Sequence, residues 1–189
     1  MMKTALMILI ILFGFKIWRL STPETVRLRQ TWDFETTNGP IKVSNVIELK
    51  QWAAIPYLPG GAVGKAETIG QIPVSVTEAG ERYFISSDPR WLIGNALRSG
   101  RAAPRLSMDG ITNEYTTGFI SLLRKAKSAI TVPIEGVGSV RNNLFLSAKD
   151  DSWGGLGGDR VSLTEFEATH SSFRLIAVTY RTTNDAVDR

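Results

Sequence analysis

The sequence predicts an α+β fold: a mainly antiparallel β-sheet domain with a helical insertion, preceded by one N-terminal transmembrane helix. Three observations predict it. Thr4 to Phe15 is a stretch of 12 residues without a charged side chain. Thr25 to Thr36 alternates between apolar and polar residues, the period of a half-buried strand. Between Asp88 and Lys127 the spacing changes to the threes and fours of amphipathic helices, after which strand patterns return. With 189 residues, 43% of them apolar and 21% charged, the chain suits one globular domain over residues 21–189.

At the N-terminus, Lys3 precedes the apolar stretch, and Lys16, Ile17, Trp18, Arg19 and Leu20 follow it. A basic start and a short apolar core have the dimensions of a signal peptide, yet cleavage wants small residues after the core and finds bulky and charged ones. An uncleaved anchor over residues 1–20 is therefore expected, ahead of a cleaved signal or a buried soluble helix. Such a helix is about 30 Å long, enough for a bilayer core. Leu6, Ile8, Ile11 and Phe13 would face lipid, Trp18 the interface, and Lys16 and Arg19 the headgroups. Lys16, Arg19, Arg27 and Arg29 outnumber the amine and Lys3, which by the positive-inside rule holds the domain in the cytoplasm. Anchors that start at residue 1 read as signals that send the next domain outward, and the outward side is the expectation.

After a short Ser21–Glu24 linker, Val26, Leu28, Trp32 and Phe34 share one face of the first strand, and Arg27, Arg29, Thr31, Asp33 and Glu35 the other. Thr37-Asn38-Gly39-Pro40 is a turn, because Asn and Gly accept positive φ. Ile41 to Trp52 then returns with Ile41, Val43, Ile47 and Leu49 in phase, which completes a long hairpin. A Pro/Gly-rich loop, Pro56 to Gly64, leads to a second hairpin around Glu78-Ala79-Gly80, expected to extend the same sheet. Asp88-Pro89 starts a helix with Trp91, Leu92, Ala96 and Leu97 on its apolar side, and Gly100 closes it. Tyr115, Phe119, Leu122, Leu123 and Ala126 mark a second helix of about four turns. Strands follow at Ile130–Ile134 and Leu144–Ala148; Ser162-x-x-Glu165 is a capping box for a short helix. Phe173–Thr183 carries apolar residues on both faces and reads as a central strand covered on both sides.

Three segments resemble an uncharacterised bacterial family of short, N-terminally membrane-anchored hypothetical proteins. They are the opening hairpin, from Val26-Arg27-Leu28-Arg29 through Asn38-Gly39-Pro40 to Val46-Ile47-Glu48, then Gly64-Lys65-Ala66-Glu67, and Arg174–Thr179. About half the chain is covered, through structural residues. The resemblance implies a bacterial origin and a place in the envelope; the expected anchor places the chain at the inner membrane. The resemblance implies no activity.

Candidate chemistry is thin. There is no Cys, which excludes disulfides, thiolate metal sites and a Cys nucleophile. Gly60-Gly61-Ala62-Val63-Gly64-Lys65 falls short of a phosphate loop, with Pro59 where the first Gly belongs and Ala66 where Ser or Thr must reach magnesium. Asp150, Asp151 and Asp159 flank the Trp153–Gly158 loop without the spacing of a calcium loop. His170 is the one histidine; neither Ser139 nor Ser147 sits in a nucleophile motif beside which it would act as a base. No catalytic, cofactor-binding or metal-binding residue is expected, and no cofactor.

Charge is the asymmetry that remains. Residues 90–127 hold seven basic and two acidic side chains, net +5, whereas residues 21–189 hold 19 basic and 18 acidic, net +1. Arg98, Arg101, Arg105, Arg124, Lys125 and Lys127 form the candidate interaction patch. A basic helical segment beside a bilayer suits anionic headgroups or an acidic partner protein; the scattered arginines and the lack of an aromatic platform disfavour nucleic acid. The expected function is a non-catalytic binding or accessory subunit of a membrane-associated assembly. The alternatives are a peripheral binder of anionic lipid and, last, a hydrolase using His170.

Overall fold

The computed structural model describes residues 22–53, 65–70, 74–76, 82–85, 88–111, 114–134, 145–148 and 160–188, with Met7, Ile8, Ile11 and Gly14. Leu6, Phe13, Trp18, the Pro56–Gly64 and Trp153–Asp159 loops and Ser139 lie outside the described residues. The fold is α+β: a five-stranded antiparallel sheet with three helices, and a second sheet of four strands. Among the described residues no helix is long and apolar enough to cross a membrane.

The alternating run forms β1 (Glu24–Thr36), which pairs along its whole length with β2 (Gly39–Gln51). The turn is where Asn-Gly places it: Thr37 and Asn38 link the strands, and Gly39 takes φ +111°. Pro40 is tolerated inside β2 opposite Glu35, because alternation of the ladder points its position away from β1, where no N–H is needed. Val26, Leu28, Trp32 and Phe34 are buried on one face, as the period requires, opposite Leu49 and Ile47. The other face carries Arg27 paired with Glu48 at 3.1 Å and Asp33 with Lys42 at 3.1 Å, each directly across the ladder.

The short β3 (Ala66–Ile69) closes one end of β2, and Gly70 then turns the chain away with φ +131°. A Cβ at Gly70 would lie 2.8 Å from the Val46 carbonyl oxygen, so only glycine fits. That exit corrects the expectation of one continuous sheet. β4 (Val74–Val76) and β5 (Arg82–Ile85) join β7 (Phe145–Ala148) and β8 (Arg160–Ser162) in the second sheet, in the order β4-β5-β7-β8.

The first sheet is completed by β9 (Phe173–Thr182) and β6 (Ile130–Pro133), in the order β3-β2-β1-β9-β6. β9 is not covered on both sides. Asp33 faces Ala177 while Phe34 faces Leu175, so Ile176 is an extra residue, a bulge that shifts the phase. Phe173 and Leu175 before it, and Val178 and Tyr180 after it, consequently point to the same core.

Helices α1 (Pro89–Arg98), α2 (Thr117–Lys125) and α3 (Leu163–Thr169) supply the other side of that core. Asp88 caps α1 by accepting from the Arg90 amide at 2.9 Å, and the Ser162–Glu165 capping box starts α3 as the motif predicts. Leu92, Ile93 and Ala96 from α1 and Phe119, Ile120 and Leu123 from α2 are wholly buried. α2 is shorter than four turns: nine residues, because Ala126 already has extended backbone on the way to β6.

Arg90 holds α1 to the sheet. It is 1% exposed, donating to Thr68 Oγ1 at 2.9 Å, to the Lys50 carbonyl at 3.0 Å and to the Glu67 carbonyl, with Asp88 beside it. Both terminal amino groups of this buried charge are thus satisfied, while Nε has no partner among the described residues.

Candidate interaction surface

The six basic residues expected as one patch divide into two groups. Arg98 is committed to the fold: it pairs with Glu114, a carboxylate almost fully buried, and donates to Asn95 Oδ1 at 3.0 Å. Arg124 donates from Nε to the Thr25 carbonyl at 2.7 Å, which fixes it over the start of β1. Arg101, Arg105, Lys125 and Lys127 are exposed, and their side chains have no ion-pair or hydrogen-bond partner among the described residues.

Local structure brings the loop after α1 to the edge of the first sheet. Gly100, at φ +66°, reverses the chain after α1, and the Arg101 amide turns back to the Ala96 carbonyl at 2.9 Å. The next residues lie against β6 through one antiparallel bridge, with Ala103 and Thr131 exchanging hydrogen bonds of 3.0 and 2.7 Å. The loop after α1 and the start of β6, which follows Lys127 by three residues, thus meet at this bridge.

A second feature lies where β1 begins, β2 and β9 end, and α2 terminates. An open groove of about 670 Å³ is lined by Thr25, Arg27, Glu48, Arg124, Thr182 and Asn184. Ser121 on α2 donates to Glu24 at 3.4 Å, a second tie between that helix and the start of β1. In the groove Arg27 Nε donates to Glu48, which also meets Lys50 at 3.4 Å. Partial burial pushes the Glu48 carboxyl up, but the hydrogen bonds and charges of Arg27 and Lys50 outweigh it, and the net shift is downward. Sequence reasoning missed this groove. Alternation assigned Arg27 to the polar face, but nothing local signals that Arg124 reaches the same place from 97 residues further on.

His170 ends α3. Its ring stacks on Phe166 with centroids 4.5 Å apart, and Nδ1 lies 2.9 Å from the Thr169 hydroxyl and 3.2 Å from the Phe166 carbonyl. Among the described residues no group of three His, Cys, Asp or Glu side chains gathers to hold a metal ion. Above the core face of the sheet, Tyr180 is fully enclosed; desolvation, and then the charge of Asp88, push its phenol well above the ordinary range.

No family model, curated protein or solved structure matches this chain.

Proposed function

We propose that the chain is a membrane-anchored protein of the bacterial envelope, acting as a non-catalytic binding or accessory subunit of an assembly at the inner membrane. The observation that carries this reading is the contrast between the N-terminal segment and the domain. Among the described residues the exposed large apolar ones are Met7, Ile8, Ile11 and Ile41, at 65%, 54%, 59% and 42%. Three of these four belong to the helical positions described before residue 15. The domain encloses side chains as large as Trp32, Phe119 and Phe166. Apolar helical residues left uncovered by their own domain have a natural partner in lipid. Glu114, Glu48 and Asp88 spend their charge on Arg98, Arg27 with Lys50, and Arg90. Those roles hold elements together, in keeping with binding rather than catalysis.

The second reading, peripheral binding of anionic lipid through residues 90–127, draws on the exposed Arg101, Arg105, Lys125 and Lys127. A hydrolase centred on His170 ranks below both, since that ring is engaged with its own helix.

Intact-mass analysis of the native protein from a membrane fraction tests the anchor. The expected species keeps the full 20.8 kDa and stays with the membrane after alkaline washing. A species that starts beyond Trp18 overturns the anchor.

A further inference from the structure

We infer that the groove at the start of β1 is a headgroup site for an anionic phospholipid, engaged through its phosphate. The inference rests on the anchor proposed above and adds a ligand class and a location.

Guanidinium groups recognise phosphate by paired N–H donors. Arg27 and Arg124 each spend Nε on a fixed protein oxygen, those of Glu48 and Thr25. Their terminal amino groups have no partner among the described residues. Both forks are therefore oriented by the fold and still hold unused donors. The hydroxyls of Thr25 and Thr182 and the amide of Asn184 line the same groove. Glu48 does not cancel the field, because Arg27 and Lys50 both flank it; of the residues lining the groove, two guanidinium groups stand against one carboxylate.

Position selects lipid over soluble phosphate. The chain enters β1 at Glu24, four residues after the expected anchor ends at Leu20. Four extended residues span at most about 14 Å. The headgroup layer of one leaflet is about 5–7 Å deep. The tether thus holds Thr25, at the lip of the groove, within a short distance of the lipid phosphates, wherever the domain tilts.

The test uses the full-length chain in zwitterionic detergent, titrated with short-chain phosphatidylglycerol, short-chain phosphatidylcholine or inorganic phosphate. The readout is the NMR resonances of the Arg27 and Arg124 Nε–H groups. Phosphatidylglycerol is expected to shift both saturably, whereas phosphatidylcholine, whose own cation offsets its phosphate, leaves them in place. Arg124→Gln and, separately, Arg27→Gln should weaken the response about tenfold. Lys125→Gln, on the same helix end but outside the groove, should not. Saturation by inorganic phosphate at equal concentration overturns the lipid assignment; equal loss in the Lys125 variant overturns the groove in favour of diffuse charge. No shift with any probe also overturns it. Membrane retention of the same proteins reads the anchor separately: a chain that stays in the membrane but ignores phosphatidylglycerol loses only the groove.

Discussion

At Gly94 a Cβ would lie 2.9 Å from Glu114 Cβ and 3.0 Å from its Oε2. Glu114 has no room to yield, being 4% exposed and bound to Arg98. Two effects oppose one another in Gly94→Ala. Helix propensity gains about 1 kcal/mol, and overpacking costs about 1–3 kcal/mol. The contact is at Cβ and not at a flexible tip, so overpacking wins, and the variant should lose about 1 kcal/mol. A lower urea midpoint at unchanged slope would show it; a raised midpoint would mean Glu114 is free to move. The same residues explain what the sequence hides at this scale. Arg90 and Arg98 look like ordinary members of a basic run, because their partners lie elsewhere: Thr68, Glu67 and Lys50 are 22, 23 and 40 positions from Arg90, and Glu114 is 16 from Arg98. Charge is legible in a sequence, but its neutralisation is not.

Elements governed by local rules were readable from the chain. The β1–β2 hairpin with its turn, the Asp88-Pro89 start and the capping box all depend on residues within a few positions of one another. What escaped depends on distant partners: the bulge at Ile176 exists only against Asp33 and Phe34, and the second sheet only because β5 pairs with β7. A further long-range element is the segment after β9, which crosses the polar face of the sheet. The Thr183 amide donates to the Arg27 carbonyl at 3.1 Å, Arg29 pairs with Asp185 at 2.8 Å, and Asp188 accepts from the Val46 amide at 2.6 Å. Val46 is therefore 2% exposed although it lies on the outward face of β2. The Thr183 hydroxyl, then Arg29, holds the Asp185 carboxyl below the ordinary aspartate range. A lowered folded value means that this support is complete above the unfolded pKa, about 3.9, and is lost as pH falls through the folded value. The Val46 amide should lose hydrogen-exchange protection in that acid window, after correction for intrinsic rates. Asp185→Asn should remove the pH step. If the step persists in that variant, the segment is held by other groups.

For the molecule as a whole, one end gathers the start of β1, the ends of β2 and β9, the C-terminus of α2 and the proposed tether. The side of the membrane follows from competing charge and signal-like features, and the outward expectation is tested by a reporter enzyme fused after Arg189. Alkaline phosphatase active at that junction places the domain in the periplasm, whereas an inactive fusion returns it to the cytoplasm, where the positive-inside count points. The strand order has a further consequence, which concerns the order of synthesis. β1 lies between β2, made next, and β9, made last; Arg29 and Asp185 are 156 positions apart. At roughly 5–20 residues per second, the hairpin waits about 6–26 s for its second neighbour. During that wait β1 offers a bare edge of unpaired amides, the kind of template that draws in strands from other nascent chains. Its outward side chains Arg27, Arg29, Asp33 and Glu35 are charged, and charge is what discourages such pairing until the ribosome delivers β9.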